Sequence, residues 1–132
     1  MDFCEAVKLA QIRYIDGETL RFILEASRSC HPDEFAAVLR ADGEVVKEVL
    51  LLPGTISSDE SALLRLHMLP IDPTVCGTVH SHPSSSMRPS GADLILFSKF
   101  GRIHIIVSFP YDERSWKAYT HSGKEIELEV VG

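Results

Sequence analysis

The chain has 132 residues, a formal net charge of −6, 45% hydrophobic residues and 24% charged residues. That length suits one compact domain, and so much apolar content excludes a disordered chain. The acidic balance disfavours nucleic acid as a partner, no apolar run approaches the ~20 residues that cross a bilayer, and Cys4, Cys30 and Cys76 form no C-x-x-C pair for a disulfide scaffold or a thiolate zinc site.

The opening MDFCEAVKLA carries Asp2 and Glu5 and lacks the basic-then-apolar order of a secretory signal. With an odd number of cysteines, the expected setting is reducing and cytoplasmic. Residues 12–15 read as a short strand ended by Asp16-Gly17. Residues 18–30 read as an amphipathic helix, with Leu20, Ile23, Leu24 and Ser27 on one side and Arg21, Glu25 and Arg28 on the other. Pro32 cannot continue that helix and biases His31 towards extended backbone. A short apolar strand over 34–40 is closed by the hairpin signal Asp42-Gly43, and a second strand over 44–52 ends at Pro53-Gly54. Residues 55–61 are polar and read as a surface loop. Residues 62–69 fit helix or strand, and their length with the following Pro70 favours strand.

A strand is expected over 75–82, then a short Ser/Pro loop, then a helix from 91 to about 100 stopped by Gly101. Residues 102–109 are a strand, and Pro110-Tyr111-Asp112 turns the chain. Strands over 116–120 and 126–131, joined at Ser122-Gly123, complete it. Seven or eight strands and two helices predict an α/β (α+β) domain, a twisted mixed sheet with helices packed on it.

The chemistry concentrates in Gly77-Thr78-Val79-His80-Ser81-His82-Pro83 and Pro89-Ser90-Gly91-Ala92-Asp93. On a strand, residues i and i+2 share a face, so His80 and His82 stand side by side with Cα atoms roughly 6.6 Å apart. Two imidazoles at that span can share one zinc. Ser81 points the other way. Cys76 shares the histidines' parity but lies about 13 Å up an extended strand, too far to join them. Asp93 opens the next helix, where the intervening loop can fold it back over the strand end. Two nitrogens and a carboxylate suit zinc and leave a coordination position for water, the pattern of a catalytic site. Ser90 and Asp93 also read as a capping-box-like S-x-x-D ahead of Leu94-Ile95-Leu96-Phe97, which explains both residues without a metal.

His80-Ser81-His82-Pro83, ten residues between His82 and Asp93, and Ser90 three before Asp93 together resemble the motif of the JAMM (MPN+) zinc metalloprotease family. Its pattern is an upstream Glu, then H-[ST]-H-P, then S-x-x-D. The order of elements is also similar over residues 12–131, so residues 1–132 read as one JAMM/MPN domain with 1–11 as a short N-terminal extension. The resemblance implies a cytidine deaminase-like sheet and one zinc per chain held by His80, His82 and Asp93. It further implies an isopeptidase that hydrolyses the amide between a ubiquitin-like protein's C-terminus and a lysine side chain. The chain lacks long insertions after His82 and looks like a minimal archaeal or bacterial member.

The place where the family's catalytic Glu follows the first helix matches His31-Pro32-Asp33-Glu34-Phe35, which selects Glu34 as general base. As the start of an apolar strand, Glu34 is expected to be partly buried, which raises a carboxyl pKa and suits a proton shuttle. Ser90 is expected to donate to the oxyanion. Glu25 is read as solvated. His31, His67, His104 and His121 have no partner at ligand spacing, and His104 is expected on the solvent side of its strand. Trp116 and Tyr119 read as core or sheet-face aromatics. The expected partners are ubiquitin-like conjugates or a ubiquitin-like carrier, with no nucleic acid and no membrane, and a homodimer is left open. Two other functions stay open: trimming the C-terminus of a sulfur-carrier protein, and a non-catalytic MPN scaffold. A zinc deaminase is disfavoured because no P-C-x-x-C pair occurs.

Overall fold

The computed structural model of the chain describes residues 11–51 and 72–132. Cys4, His67, the polar stretch 55–61 and the ambiguous stretch 62–69 lie outside them. The described residues form β1 (Tyr14–Asp16), α1 (Gly17–Cys30), β2 (Ala36–Asp42), β3 (Val45–Leu50), β4 (Val75–His82), α2 (Gly91–Lys99), β5 (Ile103–Ser108), β6 (Trp116–Thr120), β7 (Glu125–Ile126) and β8 (Glu129–Val131). The strands make one mixed sheet in the order β7-β6-β5-β4-β2-β3-β1-β8. β1 is parallel to β3 and β8, β4 is parallel to β5, and the other pairs are antiparallel.

Residues 126–131, expected as one strand, are two. β7 and β8 lie on opposite edges of the sheet with Glu127 and Leu128 between them. Two residues span little distance, so the sheet curls until its edges approach each other. Asp16 does not merely end β1. Its carboxylate accepts from Thr19 N at 3.3 Å and caps α1.

Curling gives the sheet a concave core. Leu20, Ile23 and Leu24 of α1 pack there with Ile15, Leu39, Val79 and Ile105. The opposite face is covered by α2, whose Leu96 packs on Val38 and whose Phe97 packs on Ile106 and Tyr119. β5 is therefore buried along its whole length, as strands covered on both faces are.

That second layer corrects the expectation for His104. It does point away from Ile103 and Ile105, but the face it enters is roofed by α2, and it is fully buried. It pairs with Thr78 and Tyr119 across the ladder and stacks on Phe97 with centroids 4.3 Å apart. Cys76 also departs from its expected parity. The β2–β4 register shifts between Leu39 and Arg40, and Cys76 joins the α1-side core with Val79. Its thiol donates to Leu39 O at 3.5 Å, and burial pushes its pKa up to about 12. Where β4 meets β5 the backbones nearly touch. A Cβ on Gly77 would sit 1.5 Å from Ile103 O, so only glycine fits there.

Candidate metal centre

β4 delivers the two histidines as its spacing requires. His80 pairs with Ala36 on β2 and Ile106 on β5, and His82 pairs with Ser108. Their rings face α2 with centroids 5.0 Å apart and Nε2 atoms 3.2 Å apart. Ser81 faces away, is fully buried, and accepts Phe35 N at 2.8 Å on its Oγ.

The loop from 83 to 90 is fastened by three hydrogen bonds. His82 Nδ1–H donates to Ser86 O at 3.0 Å, Phe109 N to Ser84 O at 3.0 Å, and the Tyr119 hydroxyl to Met87 O at 2.6 Å. The loop then enters α2 through a capping box. Ser90 N donates to Asp93 Oδ2 at 2.8 Å, and Asp93 N donates to Ser90 Oγ at 3.1 Å. The cap fixes the carboxylate so that Oδ1 lies 3.1 Å from His80 Nε2 and Oδ2 lies 3.3 Å from His82 Nε2. Asp93 thus serves the cap and the cluster at once.

Zinc–donor bonds of about 2.0–2.1 Å in a tetrahedron place the donors about 3.3–3.4 Å apart. The two Nε2 atoms, 3.2 Å apart, are close to that edge length, and one donor atom from each of the three residues can be taken with all three within 4.8 Å of one another. The donor chemistry fits too. A carbonyl can only accept, so Ser86 O fixes the His82 proton on Nδ1 and leaves the Nε2 lone pair aimed at the cluster. Burial opposes charge on Asp93, but the two imidazoles and the Ser90 N–H outweigh it and hold the carboxyl well below its ordinary range. The Asp93 carboxylate in turn raises His82, against burial. Among the described residues, His80, His82 and Asp93 are the group of histidine, cysteine or acidic side chains that could hold a metal ion.

Glu34 comes near the cluster. The antiparallel register sets Ala36 against His80, and Ser81 N donates to Phe35 O at 2.8 Å, while Phe35 N turns to Ser81 Oγ, so the ladder ends there with Glu34 just before it. The Glu34 carboxylate lies near enough to act electrostatically on His82 and on Tyr111. The expected partial burial is not found. Glu34 is exposed, two residues before β2 begins. Ser90 is exposed beside Asp93, where its hydroxyl hydrogen is not used by the cap. Glu25 lies on α1 away from the buried stripe, and His121 is exposed. His31 is not a ligand but adjoins the site, with Nδ1 2.8 Å from the Tyr111 hydroxyl. No sequence signal marked Tyr111, read only as part of a turn.

Comparison with known proteins agrees with this geometry. The family model described as prokaryotic homologues of the JAB domain matches residues 17–119. A probable metalloprotease of Haloferax volcanii is 41% identical over 127 residues, covering 89% of this chain and 78% of its own. A solved structure described as "JAMM: a metalloprotease-like zinc site in the proteasome and signalosome" is 46% identical, with a TM-score of 0.74 over 92% of this chain and 100% of that one. A JAB1/MPN domain protein from Archaeoglobus fulgidus is also 46% identical, with a TM-score of 0.73 over 91% and 97%. A protein from Desulfitobacterium hafniense, 21% identical with a TM-score of 0.56 over 91% and 92%, shares the fold.

Proposed function

The chain belongs to the prokaryotic homologues of the JAB domain, and from that premise we propose that it hydrolyses the amide joining the C-terminus of a ubiquitin-like protein to a lysine side chain. A metal-dependent hydrolase of the metalloprotease type follows from the family, the Haloferax volcanii relative and the three converging donors. The isopeptide substrate is supported by the H-S-H-P and S-x-x-D pattern and by a 46%-identical relative whose zinc site is described in the proteasome and signalosome. The observation that carries the reading is that donor atoms of His80, His82 and Asp93 converge, with the Glu34 carboxylate near enough to act on His82 electrostatically.

His80, His82 and Asp93 would hold one zinc ion per chain. Zinc bound there supplies Lewis acidity, which polarises a carbonyl and acidifies water. Glu34 takes a proton from the attacking water on a carboxylate oxygen, and its exposure lets substrate and water reach it. The water oxygen bonds to the carbonyl carbon, and the Ser90 hydroxyl donates to the oxygen that gains charge. The C–N bond then breaks, and the lysine nitrogen leaves with the proton that Glu34 returns. The partner would be a ubiquitin-like conjugate in the cytoplasm, a setting that suits the unpaired Cys30 and Cys76.

Glu34→Gln tests this. The variant should keep about one zinc per chain while cleavage of a carrier–lysine isopeptide falls about 10²–10⁴-fold. Near-wild-type turnover would remove Glu34 from its role. Cleavage of a carrier–Cys fusion with the isopeptide left intact would identify C-terminal trimming as the reaction instead.

A further inference from the structure

The structure assigns Tyr111 a positioning role: its hydroxyl fastens the segment that bears Glu34 to the strand end that bears His82. Tyr111 follows β5 and is 1% exposed. Its φ is +64°, and no other non-glycine residue among those described has a positive φ. A bulky residue in that region costs about 1 kcal/mol or more and persists only where its surroundings hold it, often beside a functional site. Here both ends of its backbone are held. Its N–H donates to Ser108 O at 2.8 Å, and the Arg28 guanidinium, from the last turn of α1, donates to its carbonyl at 2.9 Å.

With the backbone fixed, the phenol is directed under the site. Its oxygen lies 3.3 Å from His82 O and 2.8 Å from His31 Nδ1. The His82 carbonyl can only accept, so the phenol donates its single hydrogen there and accepts the His31 Nδ1–H. His31 caps α1 through its N–H to Ser27 O at 3.2 Å and begins His31-Pro32-Asp33-Glu34, where Asp33 N donates to Cys30 O at 2.7 Å. One hydroxyl thus spans the two segments whose separation sets the distance from base to ligand. A phenol buried for packing alone needs one partner, not one on each side of the reaction site.

The kinetic arm of the test rests on the proposed hydrolysis, and the spectroscopic arm does not. In the metal-free wild type without substrate, long-range ¹H–¹⁵N NMR at pH 8 should show His31 as the Nδ1–H tautomer. Tyr111→Phe should return it to the Nε2–H form usual in water and speed amide exchange at Asp33 and Phe35 about tenfold. Kinetically, Tyr111→Phe should lower kcat about 10- to 100-fold with KM and zinc content unchanged, since the base is displaced and the ligands are kept. His31→Phe, which keeps ring packing on Phe109, should give the same loss, and the double variant should add nothing. The assignment is overturned by an Nε2–H tautomer in the wild type, by unchanged exchange in Tyr111→Phe, or by a kcat within about twofold of wild type. A wild type that cuts no isopeptide defeats the proposed function, while the NMR arm still decides whether Tyr111 makes the link.

Discussion

His104 should make this domain sensitive to mild acid. The side chain is fully buried, Nε2 has no hydrogen-bond partner among the described residues, and Nδ1 lies 2.7 Å from Thr78 Oγ1. Burial first, and then the neighbouring His80, push its pKa down from 6.5 to about 4. In the unfolded chain the imidazole takes its proton near pH 6.5, and in the fold only near pH 4. Between those values the unfolded state binds more protons, so stability is present above pH 6.5 and is lost as pH falls towards 4. Each unit is worth about 1.4 kcal/mol, so by pH 5 about 2 kcal/mol has gone, and by pH 4 about 3 kcal/mol. Against the ~5–15 kcal/mol that holds a typical domain, this is a large share. Urea unfolding of the zinc-free protein at pH 8, 6 and 5 would measure it, with His104→Leu as the comparison. The His82–Asp93 pair, His82 raised and Asp93 lowered, does not include His104 among its causes and is kept by the substitution, so the difference between the two pH profiles reads His104. The reasoning is refuted if His104→Leu loses stability between pH 8 and 5 as steeply as the wild type.

Asp93→Asn keeps a side-chain oxygen to accept Ser90 N–H but removes the anion, so helix content by circular dichroism should hold while zinc is lost on dialysis. Asp93→Ala loses the cap as well and should be about 1 kcal/mol less stable than Asp93→Asn in the zinc-free form. Gly77→Ala would place a methyl 1.5 Å from Ile103 O, a clash with backbone that cannot move aside. It should cost more than ~4 kcal/mol, read as loss of a cooperative thermal transition.

Local patterns foretold most of the elements and the convergence of His80, His82 and Asp93. His80 and His82 share a face because a strand alternates, and Ser90 and Asp93 begin a helix because S-x-x-D caps one. α1 and the Gly43 and Gly101 turns came from spacing and glycine in the same way; both glycines have positive φ. Where the expectations failed, the deciding contact was distant in sequence. His104 alternated as foreseen, but α2 had closed over its face. Cys76 changed face at a register shift that no single strand reveals. Residues 126–131 broke in two because the sheet curls between its own edges.

Sequence by itself thus determined which side chains could meet a metal, because strand alternation and helix capping act over a few residues. Only the tertiary structure decided what surrounds them. It left Glu34 exposed, buried His104 against α2, and placed Tyr111 within reach of both His31 and His82, 80 and 29 residues away. Burial and electrostatics depend on every element packed around a group, and strands and turns far apart in the chain supply that packing here.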